Sequence, residues 1–110
     1  MKKHMKRKWV EALESGEYSQ TRNKLVNKKG DAFCCLGVLC NIQKGMYWEG
    51  ETPYNKNGYE IGDMDSLVGW FGNELGLDDV DIGQLIDLND THKKNFKTIA
   101  KYIRENVKAT

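Results

Sequence analysis

Apolar residues recur at helical spacing near both ends of the chain and run together between them. Met5, Trp9 and Leu13 fall at i, i+4, i+8 with Ala12 beside them, which predicts a helix from about residue 3 to Ser15 and a stop at Gly16. Residues 17–30 are polar and read as an irregular connection anchored by Tyr18, Leu25 and Val26, with room for a helical turn around Arg22–Val26. Asp31 then offers an N-cap and Gly45 a C′ residue for a central helix. Between them, Phe33, Cys34, Cys35, Leu36, Val38, Leu39, Cys40 and Ile42 would cover every side of that helix, so other elements must surround it. A glycine inside a helix costs roughly 1 kcal/mol relative to alanine, so Gly37 predicts close approach of a second backbone.

The rest of the chain alternates short elements. Met46-Tyr47-Trp48 and Tyr59-Glu60-Ile61 are predicted to pair as a β-hairpin whose turn region contains Asn57-Gly58, with Pro53 marking an edge. Asp65 or Ser66 would cap a helix with Leu67, Val68, Phe71 and Leu75 inward, ended by Gly76. Asp78–Asp87 reads as a single acidic turn anchored by Val80, Ile82, Leu85, Ile86 and Leu88. Phe96, Ile99, Ala100, Ile103 and Val107 give the clearest helical stripe, capped by Asp90 or Asn95. The expected fold class is mainly α (α+β): one domain over residues 1–110, built around a buried central helix with one β-hairpin.

Charge changes this picture because it is segregated. Residues 1–44 carry ten Lys/Arg against four Asp/Glu (+6), residues 45–90 one against eleven (−10), and residues 91–110 six against one (+5). Either basic terminal helices dock beside an acidic middle, or a basic face awaits an anionic partner. Lys93, Lys97, Lys101, Arg104 and Lys108 share one face of the last helix, the ordinary solvated side of an amphipathic helix unless nucleic acid binds there. No apolar run reaches the roughly 18 residues of a membrane span, and no apolar stretch follows the basic N-terminus as a secretory signal would require. Three cysteines, two of them adjacent, suit reduced thiols in a cytoplasm and not a disulfide framework.

Candidate chemistry is sparse. Cys34, Cys35 and Cys40, with His4 or His92, lack zinc spacing and lie in the most apolar segment, where Cys acts as a small hydrophobe. The same burial leaves no activated nucleophile, and no phosphate loop, dinucleotide fingerprint or nucleophile elbow occurs. The run Asp78-Asp79-Val80-Asp81-Ile82-Gly83 fails the EF-hand pattern in its glycine position and its missing final Glu. The expectation is a non-enzymatic protein without metal or cofactor.

One polar cluster stands out: Tyr18, Gln20 and Arg22 follow the first helix, and Arg22 is one of only three arginines among seventeen basic residues. A planar guanidinium beside an aromatic ring and an amide suits a phosphate or nucleobase. Trp48, Asn89 and Asp90 are candidates for the same pocket. The alternative role is structural, with Arg22 and Gln20 satisfying carbonyls at a helix end and Tyr18 covering the core.

Trp9-x-x-Ala12-Leu13-x-Ser15-Gly16-x-Tyr18-x-Gln20, the run Phe33–Cys40 (FCCLGVLC), Trp48, Leu88-Asn89-Asp90 and Phe96-x-x-Ile99-Ala100-x-x-Ile103 together resemble a family of small uncharacterised bacteriophage proteins. The resemblance spans most of the chain and transfers no site residue, because the family has no settled activity. It implies a phage or prophage product in a bacterial cytosol, where small accessory proteins act against host defences. The leading expectation is sequestration of a small anionic ligand, such as a cyclic nucleotide immune signal, by a homo-oligomer. The alternatives are a protein–protein inhibitor of a host defence factor acting through the acidic middle, and a nucleic-acid-binding module.

Overall fold

The computed structural model describes residues 1–61 and 71–110. Its elements are α1 (Lys3–Glu14), β1 (Ser19–Gln20), β2 (Ala32–Phe33), α2 (Cys35–Asn41), β3 (Tyr47–Glu49), β4 (Thr52–Tyr54), α3 (Asp79–Ile86) and α4 (Phe96–Asn106). Two wide π-type turns, Phe71–Leu75 and Asp87–Thr91, complete the set. This is a small α+β domain in which helices dominate, as the hydrophobic pattern predicts. The anticipated helix start at Asp65 or Ser66, with Leu67 and Val68, lies outside the described residues.

α1 buries Trp9, Val10 and Leu13, and it packs along α4, which buries Phe96, Ile99, Ala100 and Ile103. Asn95 caps α4, its side-chain oxygen accepting from the Thr98 N–H at 2.9 Å. Asp90 therefore has another role, described below. The terminal helices thus pair with each other. Among the described residues the ion pairs are Arg104–Glu14, between the two terminal helices, and Lys24–Glu51, between the basic first segment and the acidic middle.

α2 is fully enclosed, with Cys35 through Cys40 all buried. It is shorter than the caps suggest. Asp31 is not its N-cap, because Asp31 is held by Asn27, which donates to its carboxylate at 2.7 Å. Ala32 and Phe33 are extended, and Phe33 belongs to β2 and not to the helix. Cys34 caps α2 instead, its Sγ accepting from the Gly37 N–H at 3.3 Å. At the other end Ile42 is the C-cap, three residues before Gly45.

The predicted close approach at Gly37 is present. A Cβ built there would lie 1.9 Å from the Leu25 carbonyl oxygen, so the 17–30 connection presses its backbone directly on α2. That connection has no helical turn at Arg22–Val26: β1 runs parallel to β2, Asn23 is left-handed, and Val26 bridges Phe33. Trp9 Nε1 donates to the Cys35 carbonyl at 2.9 Å, tying α1 to the start of α2.

The hairpin differs from its predicted pairing. β3 pairs with β4 in the register Tyr47↔Tyr54, Trp48↔Pro53, Glu49↔Thr52, so Gly50-Glu51 forms the turn. Asn57-Gly58 makes a second turn, after which Glu60 bridges Tyr54 and the Ile61 N–H reaches the Pro53 carbonyl at 2.8 Å. Either glycine-containing turn can close a hairpin, and pattern alone does not choose between them.

Asp78–Asp87 is a true helix and not a single turn. Asp78 accepts from the Asp81 N–H at 2.8 Å, and acidic residues crowd the positive end of α3 where its backbone N–H groups are unpaired. Ile82 and Leu85 are buried, whereas the expected anchor Val80 is exposed. Tyr102 of α4 donates to Asp81 at 3.1 Å; desolvation and that carboxylate push its hydroxyl up to about 12.

Candidate functional site

The six residues singled out from sequence divide into two groups flanking the β1–β2 pair. In the first, Tyr18 and Trp48 sandwich Phe33, with ring centroids at 5.3 and 5.9 Å. Both polar tips meet one side chain: Asn41 donates to the Tyr18 hydroxyl and accepts from Trp48 Nε1, each at 2.9 Å. This seals the edge of the core where the hairpin crosses α2.

The second group is a polar lock. α3 runs directly into the Asp87–Thr91 turn, where the His92 N–H reaches back five residues to Asp87 at 2.8 Å. Asn89 follows Ile82 and Leu85 on the same stripe and is only 1% exposed. Its Oδ1 accepts from Gln20 Nε2 at 2.8 Å and from the Cys35 N–H at 3.3 Å. Its Nδ2 donates to the Thr21 carbonyl at 3.0 Å and to Asp90 Oδ1 at 2.8 Å. An amide side chain has two donors and two acceptor lone pairs, so Asn89 is fully used. Gln20 also donates to the Lys94 carbonyl at 2.8 Å, and Asp90 accepts from the Asn23 N–H at 2.9 Å. Arg22 reaches the Lys93 carbonyl only weakly, at 3.4 Å, and its buried Nε has no partner.

Gln20, Asn89 and Asp90 thus direct their polar groups to one another and to the backbone. They pin the connection after α1 to the turn after α3.

The concave surfaces lie elsewhere. A cleft of about 400 Å³ opens between α1, the end of α2 and the Asn55–Asn57 turn, lined by His4, Met5, Lys8, Ile42, Gln43, Lys44, Met46, Asn55, Lys56, Asn57 and Glu74. His4 and Lys8 are one helical turn apart on α1 and so share a face. Met5, Ile42 and Met46 are half-buried and supply an apolar floor. Gly45, at φ +79°, brings the backbone against the stem of Lys56: a Cβ there would lie 2.8 Å from Lys56 Cβ. Among the described residues no carboxylate pairs with Lys8, Lys44 or Lys56, and only Glu74 opposes them in the lining.

Two other clefts suit an anion less well. One of about 330 Å³ shares Lys8 and Ile42 with the first and adds Tyr18, but Glu11 and Glu17 also line it. One of about 280 Å³ lies between α1 and α4; Lys3 and Arg7 line it, but Glu11 does too, Lys6 donates to the Val107 and Arg104 carbonyls, and Arg104 is paired with Glu14.

Among the described residues no cluster of His, Cys, Asp and Glu could hold a metal ion. Burial pushes the Cys34 thiol up to about 11 and raises Cys35 and Cys40 as well, so none is primed as a nucleophile. Among the same residues no helix is long and apolar enough to cross a membrane.

Sequence reasoning missed the cleft lysines because it treated them as solvated charge. The only local signal was the His4–Lys8 spacing beside Met5; Lys44 and Lys56 join it only once the hairpin register is known. No curated protein and no solved structure matches the chain. The chain belongs to the family described as Domain of unknown function (DUF8296), whose family model matches residues 1–70, the stretch that carries every lysine of the cleft but neither Asn89 nor Asp90.

Proposed function

We propose that this chain is a non-enzymatic binding domain that sequesters a small anionic, nucleotide-like ligand in the cleft between α1 and the Asn55–Asn57 turn. The observation that carries the reading is convergence. Lys8, Lys44 and Lys56 come from three separate segments, meet over an apolar floor, and have no carboxylate partner among the described residues. Three lysines and only Glu74 to oppose them leave a net repulsion, which a bound anion relieves. An apolar floor with a few convergent polar groups, in a few hundred Å³, is the usual form of a small-molecule site. Asn55 Oδ1 holds the turn by accepting from the Asn57 and Tyr59 N–H groups, so Asn57 is the rim amide suited to a base or sugar edge.

The biological setting comes from the resemblance to phage proteins: an accessory protein that removes a cyclic nucleotide immune signal from a host cytosol, acting as a homo-oligomer. Binding without turnover suits a site whose lining has cations and amides but no activated nucleophile.

Calorimetry with cyclic nucleotides and linear nucleoside phosphates tests the reading. We expect binding at micromolar concentration that Lys8→Ala and Lys56→Ala each weaken by about 1.5–3 kcal/mol, the range for hydrogen bonds to charged groups. Arg22→Ala locates the ligand: unchanged affinity supports the cleft, whereas a comparable loss returns the site to the Tyr18/Gln20/Arg22 cluster. Absence of binding to the whole panel overturns the reading.

A further inference from the structure

A second surface, on the opposite side of the charge balance, has a different chemistry. Side chains alternate along a strand, and residues opposite each other in register share a face. In the β3–β4 hairpin one face carries Trp48 and Pro53 toward the core. The other carries Tyr47, Glu49, Thr52 and Tyr54, and the Tyr54↔Glu60 bridge adds Glu60 to it. Tyr47 and Tyr54 stack nearly parallel, with centroids 5.3 Å apart and planes 12° from each other. Tyr47 is 42% exposed, a large ring still open to solvent beside its stacking partner Tyr54.

Glu49 and Glu60 are exposed, and no cation pairs with either among the described residues; the neighbouring Glu51 is already held by Lys24 at 2.9 Å. Partial desolvation, then Glu49 and Glu60, raise the Tyr54 hydroxyl, which places both carboxylates within electrostatic reach of the stack. A cross-strand tyrosine pair would by itself stabilise the hairpin. Two unpaired carboxylates beside it add repulsion and no packing.

We propose that this outer face of the hairpin is a docking surface for an arginine side chain presented by a partner protein. A guanidinium is planar and stacks on an aromatic face, while its fork of N–H donors matches a carboxylate. The face offers both requirements at once, and an anionic partner is excluded by the same carboxylates. The site is separate from the lysine cleft, so each stands or falls alone.

The test is calorimetric titration of the full chain with a blocked Gly-Arg-Gly-Arg-Gly peptide, beside the same peptide with citrulline, a neutral isostere, at each arginine. The arginine peptide should bind at sub-millimolar concentration, more weakly as salt rises, and the citrulline peptide should bind at least tenfold more weakly. Glu49→Gln/Glu60→Gln should weaken binding at least tenfold while leaving the melting temperature near that of the parent, and Tyr47→Ala should weaken it similarly. Should Tyr47→Ala disturb the hairpin, the double glutamine variant and Tyr47→Leu, which keeps bulk but loses the ring, decide the matter. Equal binding of the two peptides, no binding at millimolar peptide, or self-association in sedimentation that Tyr47→Ala abolishes would each overturn the proposal.

Discussion

Two polar regions sit on either side of the buried helix α2, and they differ in where their hydrogen-bonding capacity goes. Around Asn89 every donor and acceptor of the central amide is met inside the protein, at 2.8–3.3 Å. In the α1 cleft three lysines and His4 face open space over methionine and isoleucine side chains. The first arrangement stabilises a fold, because a buried amide is tolerated only when its partners are supplied. The second leaves Lys8, Lys44 and Lys56 without a carboxylate partner among the described residues. A polar residue that stands out in a sequence is therefore ambiguous until its partners are known: Gln20, Asn89 and Asp90 have theirs inside the protein, whereas the buried Arg22 Nε has none.

The most severe way to break the first region is through the helix beneath it. Gly37→Leu needs a Cβ at a point only 1.9 Å from the Leu25 carbonyl oxygen, with a branched side chain beyond it, and backbone cannot yield as a side-chain tip can. We expect loss of the cooperative thermal transition. Asn89→Ala comes next. It strands the Thr21 carbonyl and the Cys35 N–H without partners and should cost about 2–4 kcal/mol, read as a lowered melting temperature.

Alkaline pH probes the same core more gently. The Cys34 thiol keeps its proton up to about 11 in the folded chain, against an ordinary value of 9.0. Above pH 9 the unfolded chain releases protons that the folded one retains, so stability falls as pH rises from 9 toward 11. Each thiol that stays protonated contributes a slope of about 1.4 kcal/mol per pH unit. Denaturant melts at pH 8, 9 and 10 should show the decline, and Cys34→Ser/Cys35→Ala/Cys40→Ala should flatten it. The single change Cys35→Ala removes one sulfur from a packed site and should cost only about 1 kcal/mol at pH 7.

The cleft should answer in the opposite sense. Lys8→Ala/Lys56→Ala should leave stability within about 0.5 kcal/mol or raise it slightly, because exposed cations are removed from a repulsive group. Ligand binding should be lost in the same variant, and equal thermal melts with unequal calorimetry would separate the two regions in one experiment.

Helical periodicity made α1 legible almost to the residue and α4 legible as an element with two candidate caps, because Met5, Trp9 and Leu13 and then Phe96 to Ile103 each repeat over several turns. The enclosure of α2 and the tight contact at Gly37 were legible too, since an apolar segment with a central glycine admits few environments. What failed was local choice. Asp31 looks like a cap, yet Asn27 competes for it, and the true cap is the Cys34 sulfur, which ordinary capping preferences do not suggest. The hairpin was expected to turn at Asn57-Gly58, and Gly50-Glu51 closed it instead. The candidate residues were brought together in part, with Gln20, Asn89 and Asp90 in one network and Tyr18 and Trp48 in another. The lysine cleft was illegible because its members meet only through that hairpin register.

The burial of three sulfurs along α2 has a kinetic consequence. A thiol-labelling reagent cannot reach Cys34, Cys35 or Cys40 in the closed molecule, so each covalent event counts an excursion in which α2 comes free. Under slow labelling the rate reports how often that happens, and under fast labelling it reports how quickly. The chain thus carries its own clock for opening, set in a segment that its packing neighbours must leave before it can be read.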